Sequence, residues 1–134
     1  MCDILIINTE NDAFLNECGK NMANSFRGCI ISNNLLNAAQ EVYSDKPPKA
    51  VLIDVDRIDN KQVISFVKNY IKYAVALTDN YRDKDFVKNL YRLGFSDVRP
   101  KDHVNSLKIA LSTVVKKREN TAIKPIEFNE KCFN

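Results

Sequence analysis

The sequence predicts a single α/β domain, a parallel five-stranded sheet flanked by helices, and two observations carry that expectation. Apolar runs of a few residues alternate with stretches of helical period, the mark of repeated strand-helix units and hence of a parallel sheet. The third run, Ala50-Val51-Leu52-Ile53, follows Pro47-Pro48 and ends in Asp54. A buried strand thereby delivers one carboxylate to its C-terminal end, where open α/β sheets place their chemistry. The first run, Ile4-Leu5-Ile6-Ile7, ends in Asn8-Thr9-Glu10, and the fourth, Ala74-Val75-Ala76-Leu77, ends in Thr78.

Taken in order, the first strand covers residues 3–7, and the helix after it, 12–25, carries Phe14, Leu15, Cys18 and Met22 on one face with Asn11 or Asp12 as its cap. Cys29-Ile30-Ile31 is the second strand, followed by a helix over 34–43 with Leu35, Ala38, Ala39 and Val42 at helical spacing. Lys46-Pro47-Pro48 stops that helix, because proline lacks the amide hydrogen and pushes its predecessor toward extended geometry. The third strand then runs to Asp54, a third helix covers about 60–72 with Val63, Ile64, Val67 and Ile71 inward, and the fourth strand occupies 74–77. A fourth helix, 83–93, presents Phe86, Val87, Leu90 and Tyr91, and Gly94 stops it. The fifth strand has the weakest pattern, 96–98, and the last helix, about 103–117, carries Val104, Leu107, Leu111 and Val114 on one stripe with Ala110 and Val115 beside it. The domain is expected over 1–118, with 119–134 a C-terminal tail or docking arm.

Composition excludes several classes. At 134 residues with 45% hydrophobic and 28% charged residues the chain can bury a core, and no apolar stretch approaches the roughly 20 residues that cross a bilayer. Met1-Cys2-Asp3 opens straight into a strand with no basic leader, so the expected location is the cytoplasm. A net charge of +3 from scattered residues does not point to nucleic acid. The one compact basic group, Lys116-Lys117-Arg118, reads as a solvated helix end facing the dipole, with phosphate binding the other reading. Cys2, Cys18, Cys29 and Cys132 form no C-x-x-C pair and are expected to be reduced, Cys18 and Cys29 as small core residues. The single histidine, His103, is not expected to be catalytic, and Gly19, Gly28 and Gly94 are too far apart for a phosphate loop.

Five strand-helix units with an acid ending the third strand, a hydroxyl ending the fourth and a lysine after the fifth make the chain resemble a response-regulator receiver domain. Pro48-Lys49-Ala50-Val51-Leu52-Ile53-Asp54 is similar to the family's third strand, Ala76-Leu77-Thr78 to its fourth, and Leu93-Gly94-Phe95-Ser96-Asp97 to the element before its fifth. The resemblance covers residues 3 to about 118 and implies a flavodoxin-like, doubly wound (βα)5 sheet. It places Asp54 at the phosphoacceptor position and Thr78 and Lys101 at the phosphoryl-contact positions, while a slip of alignment would put Arg99-Pro100 where Lys101 stands. Plainer readings stay open: Asp54 as a loop cap, Thr78 with Asp79 as a turn residue, Lys101 as a solvated charge.

The departures matter as much. The family's adjacent acid pair, which holds magnesium, corresponds to Asn8 and Thr9, with Glu10 one step late. A neutral amide and hydroxyl do not replace two negative charges around a hard cation, so no cofactor is expected, and only Glu10 or Asp56 could rescue a magnesium site. The loop Val55-Asp56-Arg57-Ile58-Asp59-Asn60 is roughly four residues short of the family's. Val98 stands where the family's switch aromatic would be, leaving Tyr91 or Phe95 as substitutes.

The resemblance therefore implies a stand-alone, atypical receiver domain in two-component or phosphorelay signalling. It would act by protein-protein contact without ordinary magnesium-dependent phosphorylation, and not as an enzyme. Its partners would be signalling proteins (a histidine kinase, a phosphotransfer protein or a downstream effector), neither nucleic acid nor membrane, with a homodimer through the face of the fourth helix, fifth strand and fifth helix, residues 83–117. The alternatives are a phosphorylatable receiver with a rearranged cation site around Asp54, and a small-ligand-binding α/β domain, which the absence of a nucleotide loop or nucleophile-base pair disfavours.

Overall fold

The computed structural model describes residues 2–57, 71–101 and 104–120. Its sheet has five parallel strands in the order β2-β1-β3-β4-β5: β1 (Ile4–Ile7), β2 (Cys29–Ser32), β3 (Ala50–Asp54), β4 (Ala74–Leu77) and β5 (Asp97–Arg99). The helices are α1 (Ala13–Ser25), α2 (Leu35–Val42), α3 (Lys84–Leu93) and α4 (Val104–Asn120). This is the flavodoxin-like arrangement that the sequence predicts. Residues 60–70 of the expected third helix and most of the tail lie outside the described residues, as do His103 and Cys132, while Ile71–Tyr73 form a 3-10 turn before β4.

The three central strands are apolar up to Asp54, which ends β3, because they are covered on both faces: every residue of β1, β3 and β4 is buried. Their register is continuous, with Ile7 opposite Ile53 and Asp54 opposite Leu77. Right-handed crossovers make the chain change face when it changes direction. The chain steps from β1 to β2 one way and from β2 to β3 the other, and α1 meets α4 while α2 packs on β1 and β2. The reversal separates the ends of β1 and β3, which opens a crevice beside Asp54.

Local chemistry starts and stops the helices. Asp12, rather than Asn11, caps α1 by accepting from the Leu15 N–H; Asn34 caps α2 through Asn37, and Asp83 caps α3 through Phe86. Gly94 ends α3 in the left-handed region at φ 111°, where a Cβ would be strained. Gly19 lies against Ile31, whose Cδ1 a Cβ at that position would strike, so α1 packs close to β2.

Four expectations shift. β5 lies one residue later than expected, because only Val98 of its three residues is buried and a single apolar point does not set the ends of an edge strand. On α3 only Leu90 is buried; Tyr91 turns outward, its hydroxyl donating to Asp97 Oδ1 (3.0 Å) and accepting from the Val98 N–H (3.3 Å). Cys29, on the edge strand, is half-buried rather than a core residue, although burial still pushes its thiol up to about 12. The last helix continues to Asn120, and Arg118 is buried against the Tyr73 ring, 4.4 Å from its centroid, instead of being solvated with Lys116 and Lys117. An arginine stem and guanidinium over an aromatic face recover in packing and cation-π attraction what they lose in hydration.

At the N-terminal end of the sheet an ion cluster gathers around buried Asp3 and Lys49. The Lys49 ammonium sits 2.9 Å from Glu119 and 3.4 Å from Asp3, and Arg27 reaches both acids from the exposed side. Among the described residues no helix is long and apolar enough to cross a membrane.

Candidate functional site

At the opposite end of the sheet, Asp54, Thr78 and Lys101 come together. Asp54 is 1% exposed because β3 carries it between β1 and β4, and the turn that follows folds back on it: the Asp56 N–H donates to Asp54 Oδ1 (3.1 Å) and the Arg57 N–H to the Asp54 carbonyl (3.3 Å). Lys101, delivered by the turn after β5, points inward with its ammonium 2.8 Å from Asp54 Oδ2 and 3.3 Å from both Asp56 and Asp79. Arg99 is engaged elsewhere, with Asp97 and Ser106, so Lys101 is the cation that reaches the strand ends.

Thr78 serves the turn and the cluster at once. Its hydroxyl accepts from the Asn80 N–H (2.9 Å) and donates to Asp56 Oδ1 (2.7 Å), whose other oxygen accepts from the Asp79 N–H (2.6 Å). Asp56 is thus an integral member of the cluster. The two aspartates feel opposite environments. Burial lifts the Asp54 carboxyl above the usual range and outweighs the lowering effect of Lys101. Burial also works against Asp56, but the hydrogen bonds from Asp79 and Thr78 and the Lys101 charge hold it below that range. For Lys101, burial opposes the charge, and the contacts with Asp54 and its acidic neighbours hold its pKa above the ordinary value.

The positions corresponding to the magnesium-binding pair do not fit that ion. The Asn8 side chain is spent on local structure: its carbonyl accepts from the Asp12 N–H (2.8 Å), and its amide donates to the Asp12 carbonyl (3.1 Å) and to Asn16 (2.9 Å). Thr9 lines the crevice with a neutral side chain. Glu10 is taken by Arg57 at 2.6 Å and Asp56 by Thr78, Asp79 and Lys101, so neither expected rescuer has its carboxylate turned to a common point. Among the described residues no three His, Cys, Asp or Glu side chains form a metal-binding group. A hard divalent cation needs several converging oxygens.

Arg57 and Asp79 are the members of the site that sequence reasoning missed. Arg57 is the more consequential, because its guanidinium lies across the crevice between β1 and β3, against Glu10, Asp12 and Asp54. An arginine three residues after the strand-end acid was the one available signal, and nothing local said which way it would turn. On the other side of Lys101 an open groove of ≈ 720 Å³ runs past Thr78, Asp79, Tyr81, Arg82 and Pro100.

No protein-family model matches this sequence, and no curated protein matches it. Solved structures do. An adenylate cyclase from Rhodopirellula baltica superposes with a TM-score of 0.70 at 13% identity over 90% of this chain and 92% of that one. The Francisella response regulator 1452 receiver domain gives 0.64 at 12% identity, covering 85% and 96%, and the response regulator domain of Thermotoga maritima CheB gives 0.62 at 13%, covering 90% and 98%. At such identities the likeness is one of architecture, and by architecture this chain has a receiver-domain fold.

Proposed function

We propose that the protein is an atypical receiver-type signalling domain that acts through protein-protein contacts and is not an enzyme. Its Asp54 would be held by protein groups rather than by a magnesium ion. One observation carries this reading: both oxygens of the strand-end carboxylate face partners within the chain, Oδ1 a hydrogen bond from the Asp56 N–H and Oδ2 an ion pair with Lys101 at 2.8 Å, while the neighbouring acid-pair positions are Asn8 and Thr9. Phosphoryl transfer to a carboxylate needs the charge of the moving group neutralised and an oxygen free to attack. The first need would fall to Lys101 and Arg57 alone, and the second is opposed by the same contacts.

The output would be a surface, read by a signalling protein or by a second copy. The face of α3, β5 and α4 is the candidate. It carries half-exposed Tyr91 tethered to Asp97 and Val98 at the edge of the sheet. Val98 is buried in β5 and Phe95 in the core, so an outward-inward aromatic swing would have to come from Tyr91.

A second reading, a phosphorylatable receiver, is favoured by Thr78 and Lys101 standing beside Asp54 as phosphoryl contacts. Incubation with acetyl phosphate and magnesium followed by intact-mass measurement separates the two. The expected result is an unchanged mass over hours; rapid, stoichiometric gain of one phosphoryl group, lost in Asp54→Asn, would establish the second reading instead.

A further inference from the structure

We infer that Arg57 is a built-in counter-ion, a guanidinium that occupies the crevice between β1 and β3 in place of a divalent cation and makes the site indifferent to such ions. This deepens the metal-independent reading above and rests on it. Three nitrogens of one side chain face three carboxylates from three different elements. Nη1 is 2.6 Å from Glu10 in the loop after β1, Nη2 is 3.6 Å from Asp12 at the α1 cap, and Nε is 3.6 Å from Asp54 at the end of β3. Asp12 can serve both the helix and Arg57 because Oδ2 takes the Leu15 N–H and leaves Oδ1 for the guanidinium.

The backbone aims the side chain. The Asp56 and Arg57 amides both return to Asp54, which folds the chain tightly after β3 and brings residue 57 back over the strand end it has just left. With the arginine there, the crevice lined by Asn8, Thr9, Glu10, Asp12 and Asp54 is too narrow to admit a water molecule. A second cation beside the guanidinium would be repelled at short range, and among the described residues the acids form no group that could hold a metal ion.

Removing Arg57 leaves Glu10, Asp12 and Asp54 without their shared cation, a local excess of negative charge that a hard ion can neutralise. Thermal unfolding of the full chain, with and without millimolar magnesium or calcium and against sodium chloride of equal ionic strength, tests this. The wild-type midpoint should not move with either divalent ion. Arg57→Ala should unfold lower, and divalent ions should raise its midpoint by roughly 4 °C where sodium chloride does not, since a ligand of the folded state alone stabilises it. Arg57→Gln, which keeps the side-chain length without the charge, provides the same comparison if the alanine variant does not fold.

A wild-type midpoint that rises with magnesium, or neutral variants with no divalent-specific recovery, would overturn the inference. The two proposals fail separately. Phosphoryl uptake that proceeds equally in a chelator removes the first and leaves this one, whereas a cation response without uptake removes this one alone.

Discussion

The two ends of the β-sheet each hold a cluster of opposite charges around a buried aspartate, and they are balanced differently. At the N-terminal end, Asp3 and Glu119 face Lys49 and Arg27, charge for charge. At the C-terminal end, Glu10, Asp12, Asp54, Asp56 and Asp79 share, among the described residues, Arg57 and Lys101. The balanced cluster is a clamp that ties the last turn of α4 to the starts of β1 and β3. The other gathers more acids than cations at the strand ends and sets buried Asp54, its carboxyl lifted, beside Asp56, its carboxyl held low.

The largest effect should come from breaking the clamp. Lys49 is almost wholly buried, so Lys49→Ala leaves Asp3 in the interior with exposed Arg27 as its remaining cation among the described residues, and unfolding in urea should show a loss of about 3–5 kcal/mol. A loss below about 1 kcal/mol would mean that the N-terminal cluster is hydrated and the contrast between the two ends is false.

At the other end the same kind of surgery should act in the opposite direction. Asp54→Asn removes a carboxylate that burial disfavours, and the variant should be about 1 kcal/mol more stable at neutral pH, the usual gain when a strained site is relieved. The sign with pH follows. Because the folded-state pKa of Asp54 lies above its unfolded value, its protonated form favours the folded state, and that contribution is lost as pH rises through the raised pKa. The advantage of Asp54→Asn should therefore shrink on acidification and level off above that pKa. Asp56, held low, contributes the other way, with stability present above the unfolded pKa and lost as pH falls. Urea midpoints of both proteins between pH 4 and pH 8, on the order of the range over which such groups titrate, measure this; an advantage that grows on acidification would assign the wrong environment to Asp54.

The smallest effect sharpens the reading of the clamp. The Arg27 side chain is 68% exposed although it touches both acids, so Arg27→Ala should change stability by less than about 1 kcal/mol. A loss equal to that of Lys49→Ala would show that the cluster acts as one unit rather than through its buried member.

Most of the architecture was legible because wholly buried strands have no polar face to conceal. Ile4 to Ile7, Ala50 to Ile53 and Ala74 to Leu77 announce themselves as apolar runs, and Asp12, Asn34, Asp83 and Gly94 mark helix ends through chemistry that lies within a few residues. The site was legible to the same depth. Asp54, Thr78 and Lys101 each occupy a position set by the end of a strand or the turn beyond it, and strand ends follow from the pattern.

The sequence by itself determined the order of elements, the three strand ends that carry polar groups, and the neutrality of Asn8 and Thr9 where a metal site needs acids. Only the tertiary structure decided that Arg57 turns back across the crevice to Glu10, Asp12 and Asp54, that Lys49 is drawn into the interior between Asp3 and Glu119, and that Arg118 leaves a basic run to lie on Tyr73. The reason is one of range. Hydrophobic periodicity is written in neighbouring residues, whereas the partner of a long cationic side chain stands 70 positions away in the Lys49–Glu119 pair and 92 in the Arg27–Glu119 pair, and folding alone brings it within reach.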